Sequence, residues 1–414
     1  MLGFSAAAGG PLVPGIQSPV EVFLSASPPS LAKVPYFRLS AFYALYFSVI
    51  GSLLPYWSLY LQFLGFNASE IGQLTALLVG TKIIAPNIWG WVADRGGRGI
   101  EVIRMTSLIA AIAFTGTFLG SGFVWMATVT VVFSFFWNAA LPQFEALTLS
   151  HLKRDPHDYS RIRLWGSIGF VLAVLLAGRF LDDEEIGRLP VIIAVLLAGI
   201  WLVGMVVPGK PVSSGETGRA PELIAILRQP TVLAFLTVVC LVQVAHGPYS
   251  VFYSIYLKDH GYDNSRIGLL WSLGVLAEIA LFVFMPALLK RFSLRSILLA
   301  SVLTGTLRWV SIGVGIDQPL VLVLAQLLHA TTFGSTHVVA IHFVHRYFPH
   351  ESHGRGQALY SSMSFGLGGM LGSFTSGELW DRFGPIAVYG AASCVCLLAY
   401  LIGLRWIGIK EAPR

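Results

Sequence analysis

The sequence has few charged residues for its length, and this shortage excludes most classes of soluble protein. Asp, Glu, Lys and Arg make up 12% of the 414 residues, whereas hydrophobic residues make up 55%, and the mean hydropathy is +0.72. Three cysteines are too few for a disulfide framework. The apolar runs also lack the alternation of apolar and polar residues that is typical of membrane barrel strands. These absences favour a helical membrane protein.

Long apolar runs are abundant. One membrane-spanning helix needs about 20 apolar residues, and twelve runs in this sequence come close to that length. The runs cover residues 38–64, 69–93, 102–121, 123–150, 161–181, 189–208, 230–258, 265–289, 296–316, 318–346, 355–379 and 386–408. We therefore predict an all-α integral membrane protein with twelve transmembrane helices.

The positive charges accumulate on one side of the predicted membrane. With a cytoplasmic amino terminus, the inside segments hold 20 Lys/Arg and 9 Asp/Glu, whereas the outside segments hold 5 and 10. Lys and Arg are enriched in the cytoplasmic loops of membrane proteins. We therefore expect both termini to be cytoplasmic, in a multi-pass protein of the inner (plasma) membrane. The net charge of +6 then needs no nucleic-acid partner to explain it.

The chain contains an internal repeat. Residues 65–74 (GFNASEIGQL) match residues 261–270 (GYDNSRIGLL) at an offset of 196, and each copy joins the first and second helix of a six-helix half. We expect Ser69 and Ser265 to be the helix N-caps there. A second pair recurs at 178–182 and 377–381. An even number of spans separates the copies, so the two halves run in the same direction.

The repeat sets the predicted domain organisation. The first residues are rich in Gly, Pro, Ser and Ala and lack the basic start and apolar run of a signal peptide. A start codon assigned too far upstream would give the same pattern. The predicted parts are a disordered tail 1–37, a six-helix bundle 38–208, a cytoplasmic linker 209–229, a second six-helix bundle 230–408 and a tail 409–414.

Ionisable residues within the apolar spans are the main indication of function, because a charge at the bilayer centre costs at least about 2.5–3.5 kcal/mol. Basic and acidic groups together suggest ion pairs around a hydrated cavity. The alternative is a structural ion pair that holds helices in register. Lys82 and Glu278 are 196 residues apart and so occupy equivalent positions in the two halves. The residues concerned are Lys82, Glu145, Arg163, His246, Glu278, Arg308, His329, His337 and His342.

The connection between the second and third spans carries a recognisable pattern. Gly90, Asp94, Arg95, Gly97 and Arg98 form G-x-[LV]-x-D-R-x-G-R. It resembles the signature loop of the major facilitator superfamily, and the alternative is a short basic loop without a mechanism. Glycines allow helix ends to approach closely, and the charged residues would form a network that breaks and reforms as the halves rock. The resemblance implies two parallel, pseudo-symmetric six-helix bundles.

Residues 159–170 resemble the fifth-helix motif that lactose-permease-type proton symporters share with the 3-phenylpropionate transporter family. The resemblance implies that Arg163 binds the substrate and pairs with Glu145, and that Phe170 stacks on it. We add Lys82 as a second positive site. The second half resembles the phenylpropionate family more closely, at Trp271, His246, Glu278, Arg308, Trp309, Leu328, His329 and His337.

Aromatic side chains are expected to complete the cavity. Trp57 in the first span, and Tyr249 and Tyr253 beside His246 in the seventh, are suitably placed. Stacking of an aromatic ligand gains about 0.5–1.5 kcal/mol beyond burial. Aromatic residues of the membrane interface or of the protein core are the alternative.

We therefore predict a transporter, not an enzyme, that imports a small aromatic carboxylate with a proton. Glu278 carries the proton and is tuned by Arg308 and His329, because desolvation favours a neutral carboxyl and a guanidinium favours a charged one. The tenth span lacks the acid of lactose-type carriers, so Glu145 is a rival site.

Three other functions remain open: a proton symporter for a neutral sugar or nucleoside, an exporter of hydrophobic compounds, and a non-transporting sensor. The exporter is disfavoured by the charged cavity. No cofactor, metal or nucleic-acid partner is expected, and the protein should function as a monomer in the bilayer.

Overall fold

The computed structural model describes residues 34–152, 156–182, 184–209, 220–349 and 352–408. The predicted tails are outside this part of the chain, except for the last residues before the first helix. About half of the predicted linker, at 210–219, is outside it too. The remainder is almost entirely helical.

The first half contains six membrane-spanning helices. Each is long and apolar enough to cross a bilayer, and their ends agree with the predicted runs to within a few residues. The helices are α1 Tyr36–Phe63, α2 Ala68–Arg95, α3 Gly99–Phe118, α4 Phe123–His151, α5 Pro156–Phe180 and α6 Ile186–Val206.

The second half follows a short connecting helix, Ala220–Leu227. Its first four spans are α7 Pro230–Asp259, α8 Asn264–Arg291, α9 Leu294–Val314 and α10 Pro319–Tyr347. A continuous run of 54 residues, His353–Trp406, completes it.

This last run consists of two spans. Gly384 within it has φ 77° and ψ 166°, which is not helical, and Pro385 follows. Proline has no N–H to donate to the helix ladder and clashes with the preceding turn. The run therefore divides into α11 (353–383) and α12 (385–406). The described residues contain eleven apolar helical segments, and the last of these comprises two spans. The prediction of twelve spans is therefore confirmed.

Four helices depart from α-helical geometry near their middles. A 3-10 turn interrupts α2 at Thr81–Ile83, and His246 divides α7. Turns of π-helix occupy Ala330–Ser335 in α10 and Ser362–Gly368 in α11. Such turns are frequent at functional sites because they redirect side chains and free backbone groups.

The predicted N-caps are wrong by two residues. The side chain of Asn67 accepts a hydrogen bond from the N–H of Glu70, and Asp263 accepts one from Arg266. Asn and Asp are at least as good as Ser in this role. Ser69 and Ser265 already lie in the first turn, where they bond across to the opposite half.

The two halves meet closely at one end of the molecule, which we call the closed end and which carries the connections 64–67 and 260–263. A Cβ atom on Gly72 of α2 would lie 2.7 Å from the Cα of Gly377 in α11. A Cβ atom on Gly178 of α5 would lie 2.5 Å from the carbonyl oxygen of Asn264 in α8. Only helices with small residues on the contacting face can pack this tightly.

The halves separate toward the opposite end, which we call the open end and which carries the 96–98 connection. The close approach between α2 and α11 continues as far as Ile83 and Gly366, halfway along both helices. Beyond that level, the side chains of Arg163 and Glu145 are 32% and 37% exposed although both lie within spans. These two side chains are therefore partly accessible on the open-end side of the contact between the halves.

The break at Gly384 gives a prediction about stability. Changing Gly384 to Ala should destabilise the protein by about 1–2 kcal/mol, because an L-residue is strained at positive φ. Gly390 is the matched control, since it lies in the helical part of α12 and a Cβ on either glycine would meet no atom within 4 Å. Gly390→Ala should leave stability unchanged or slightly raised.

Thermal unfolding of the purified protein in detergent measures both variants. An unchanged melting temperature for Gly384→Ala would mean that the break is not fixed in the native state.

Candidate functional site

Arg163 and Glu145 lie together on the first half. The Nε atom of Arg163 on α5 is 3.9 Å from Oε1 of Glu145 on α4. The guanidinium also stacks on the ring of Phe47 in α1, 3.9 Å from its centroid, and lies within 5.6 Å of Tyr43. Three helices therefore hold one partly exposed ion pair, which agrees with the partnership that the sequence resemblance implies.

Glu278 and His329 lie together on the second half. Oε2 of Glu278 on α8 is 3.8 Å from Nε2 of His329 on α10. Both side chains are largely buried, at 16% and 12% exposure. His329 directly precedes the π-helical turn of α10, and its Nδ1 atom has no hydrogen-bond partner in the described part of the chain. The carboxyl and the imidazole are therefore close neighbours but are too far apart to share a hydrogen bond in this conformation.

Arg308 is held away from Glu278 in this structure. Its Nε donates to the carbonyl oxygen of Ala325 at 2.9 Å, and its Nη1 donates to the hydroxyl of Thr332 at 3.1 Å. The guanidinium is fully buried and stacks 4.3 Å from the ring centroid of Tyr249. The predicted pairing with Glu278 is therefore not made in this conformation, because the guanidinium bonds to α10 and stacks on Tyr249 instead.

Lys82 lies at the middle of α2, within the 3-10 turn. The turn is fixed from α4: Asn138 donates to the hydroxyl of Thr81 at 2.8 Å, and Thr81 donates to Ser134 at 3.0 Å. Lys82 itself makes no ion pair or hydrogen bond with any residue that the structure describes. Lys82 is therefore a cation without a counter-charge among the described residues. The polar residues that fix the turn around it were not predicted from the sequence.

The predicted aromatic residues fall into two groups. Tyr249 and Tyr253 stack on each other at 4.9 Å in the core of the second half, and Tyr249 also lies 5.8 Å from the ring of His329. His246 packs edge-on against Trp309 nearby, with its Nε2 unpaired among the described residues. These three residues therefore border the Glu278 cluster.

The remaining two aromatic residues lie elsewhere. Trp57 packs on Phe114 of α3 and Tyr60, inside the first half. Phe170 is 6% exposed, and the close approach of its backbone to Gly51 places it where α5 packs on α1. Neither side chain contacts Arg163 in this conformation.

Arg163 of the first half lies near enough to the second half to act electrostatically on both Glu278 and His337. The Nδ1 atom of His337 on α10 is 3.0 Å from the hydroxyl of Tyr360 on α11, which orients the imidazole. The sequence singled out His337 as an ionisable residue within an apolar span and for its resemblance to a family, and the structure places it beside Tyr360.

Comparison with known proteins agrees with this architecture. Residues 36–391 match the model of a family described as the MFS_1 like family. The chain belongs to this family of the major facilitator superfamily.

Similar proteins include permeases and transporters for several kinds of small molecule. The chain is 31% identical to a probable 3-phenylpropionic acid transporter of Escherichia coli (strain K12), over 87% of this chain and 95% of that protein. It is 24% identical to a maltose permease of Geobacillus stearothermophilus, over 89% and 94%. The crystal structure of the nucleoside transporter NupG superposes with a TM-score of 0.79 at 19% identity, covering 91% of this chain and 99% of that one.

This major facilitator protein is therefore a multi-pass membrane transporter for a small molecule and not an enzyme. Two bundles that meet at one end and separate at the other are suited to alternating access. Arg163 with Glu145 belongs to the first bundle, and Glu278 with His329 belongs to the second.

The signature loop of the transporter lies at the open end. Gly97 has φ 60° and closes the last turn of α2, with the N–H of Arg98 bonded to the carbonyl oxygen of Ala93. Arg95 stacks on Trp91, 3.9 Å from its ring centroid. Asp94 makes no ion pair within the described part of the chain, so the predicted charge network is not formed in this conformation.

The surroundings of Arg308 give a prediction. Thr332→Val removes the hydroxyl that accepts from Nη1 and leaves a buried charged donor unpaired, which should cost about 1–3 kcal/mol of stability. Thr304→Val is the matched control, because Thr304 is partly exposed on α9 and bonds only within its own helix. Differential scanning fluorimetry of the detergent-solubilised proteins compares them. Equal melting temperatures would show that the Thr332 bond does not hold Arg308.

Proposed function

We propose that this transporter imports a small aromatic monocarboxylate together with a proton by alternating access. We further propose that it works as a monomer in the bacterial inner membrane with both termini cytoplasmic. The positive-inside distribution of charge supports this orientation and makes the open end the cytoplasmic one. The 31% identity to a probable 3-phenylpropionic acid transporter supports the substrate class.

The ionisable residues singled out within the apolar runs carry the proposal. Three of them are cations, Lys82, Arg163 and Arg308, and two are carboxylates, Glu145 and Glu278, with Arg308 buried inside the second bundle. A surplus positive charge in a poorly hydrated region favours an anionic ligand. A proton on Glu278 would increase that surplus, so binding of the proton favours binding of the carboxylate.

Arg163 is the proposed carboxylate site. Its planar guanidinium offers two parallel N–H donors that match a carboxylate, which the ammonium of lysine does not reproduce. Glu145, 3.9 Å away, neutralises Arg163 when the cavity is empty. Lys82 lacks a counter-charge among the described residues and provides a second positive charge. Phe47, which already stacks on Arg163, offers an aromatic surface at the same place.

Glu278 is the proposed proton site. It is largely buried, and its Oε2 atom lies 3.8 Å from Nε2 of His329. A carboxylate in such a position needs either a proton or a nearby cation. Arg308 would supply the cation in another conformation, since α10 carries both His329 and the partners that now hold Arg308.

A neutral sugar or nucleoside is the second candidate substrate. The Arg163–Glu145 pair presents donors and acceptors side by side, which suits a hydroxylated ligand. The maltose permease relative supports this alternative. Uptake of labelled 3-phenylpropionate, maltose and a nucleoside into proteoliposomes, with and without an imposed pH gradient, decides between the two and tests proton coupling.

Replacement of Arg163 by Lys should weaken binding of the aromatic acid at least about tenfold, equivalent to about 1.4 kcal/mol. The lost geometry of two parallel donors is the reason, since the charge is kept. Arg179→Lys is the control, because Arg179 lies exposed at the other end of α5. Equilibrium binding to the purified variants measures the effect. If the Arg163 variant bound the acid with wild-type affinity, Arg163 would not be the carboxylate-binding residue.

Replacement of Glu278 by Gln should abolish accumulation driven by the pH gradient and preserve exchange of substrate across the membrane. Gln keeps the shape and part of the hydrogen bonding of a protonated Glu but cannot release a proton. Glu101→Gln, an exposed change at the start of α3, is the control. Proteoliposome uptake and counterflow measure the two activities. Full accumulation in the Glu278 variant would contradict the proposal and would make Glu145 the proton site instead.

A further inference from the structure

The end of α11 repeats the pattern of the signature loop. Residues 377–384 read Gly-Glu-Leu-Trp-Asp-Arg-Phe-Gly and share the spacing G-x-[LV]-x-D-R-x-G with residues 90–97. The final glycine has positive φ in both, at 60° for Gly97 and 77° for Gly384. The first copy lies at the open end and the second at the closed end. One pattern therefore occurs at both ends of the molecule.

The aspartate of the second copy is engaged with the opposite half. Oδ2 of Asp381 accepts a hydrogen bond from the N–H of Ala68 at 3.3 Å. Ala68 is the first residue of α2, where the helix dipole favours a negative charge. Asn67 and Glu70 already cap each other at this helix start. The Asp381 contact is therefore an addition that joins the halves, not the cap that α2 requires.

The glutamate of the second copy makes further bonds to the same helix. Glu378 accepts hydrogen bonds from the hydroxyl of Ser69 and, at 3.1 Å, from the amide of Gln73. Its other oxygen is 3.8 Å from Nη2 of Arg382. Two carboxylates of α11 thus accept hydrogen bonds from the first turns of α2.

The matching contact between α5 and α8 is uncharged. Ser265 donates to the carbonyl oxygen of Gly178 at 2.9 Å, and Asn264 donates to that of Leu181 at 2.6 Å. Ser265 and Asn264 lie 196 residues after Ser69 and Ala68, so the same positions of the repeat make both contacts. The α5–α8 contact shows that the two halves can pack at this end without charged residues. The carboxylates of the α2–α11 contact are therefore not required for packing alone.

We propose that Glu378 and Asp381 are positioning residues of the transport cycle, which form a latch that holds the closed end shut. The proposal rests on transport by alternating access and is independent of substrate and proton coupling. A carboxylate suits a reversible latch, because water hydrates it once the halves part and so replaces the lost bonds. An apolar contact has no such compensation.

The test measures distances across both ends in the full chain without any substrate. Nitroxide labels at positions 121 and 260 report the closed end, and labels at 101 and 291 report the open end, in a background without the three native cysteines. These positions are all exposed in connections or at helix ends. Double electron–electron resonance on the protein in lipid nanodiscs gives the distance distributions.

In the Glu378→Gln/Asp381→Asn variant, the ratio of long to short distances at the closed end should rise at least about tenfold, with a matching shortening at the open end. Ser69→Ala/Gln73→Leu removes the partners from the other half and should shift both distributions in the same direction. Asp317→Asn, an exposed carboxylate at the same end, should change neither. Asp381→Glu in the otherwise unaltered chain should retain most of the closed population.

Unchanged distances in both double variants would overturn the proposal. Longer distances at the closed end without shortening at the open end would also overturn it, because they would show local loosening and no change in the conformational equilibrium. Neither outcome depends on whether an aromatic acid is the substrate.

Discussion

A charge within the membrane-spanning part of this transporter has to be balanced by protein, water or ligand, because lipid does not hydrate it. The constraint applies to the five charged residues singled out within the spans, and their surroundings differ. Arg308 is surrounded by protein oxygens and rings, whereas Glu278 contacts an imidazole. Arg163 and Glu145 balance each other in partial contact with water. Lys82 has no ion-pair partner among the described residues, so water or a ligand has to balance its charge.

The repeat provides two similar frameworks with different chemistry. Lys82 and Glu278 both lie fourteen residues after the start of their helices, α2 and α8. The local backbones nevertheless differ, since α2 contains a 3-10 turn at that level and α8 is continuous. At equivalent positions, one half therefore carries a lysine and the other a glutamate. The proposed coupling of an anion to a proton depends on this asymmetry, because two identical halves would offer two identical sites.

The sequence predicted the helices well, since hydrophobic runs of membrane length leave little choice of structure. It also predicted the pairing of Arg163 with Glu145, through resemblance to a family. It did not distinguish Asn67 from Ser69 as a cap, because both residue types serve and they are two positions apart. The orientation of Arg308 also escaped prediction. That orientation depends on a turn of π-helix in another span, which arises from tertiary packing and leaves no periodic signal in the sequence.

The position of the charges relative to the glycine contacts determines what closing the open end would cost. The tight contacts between α2 and α11 reach only to Ile83 and Gly366, and Arg163 and Glu145 lie beyond them. Closing the open end has to remove water from this ion pair, and the desolvation of a charged pair is expensive unless its hydrogen bonds are complete. A bound carboxylate or a proton changes that cost directly. The cost of removing water from this ion pair is therefore part of the cost of closing the open end.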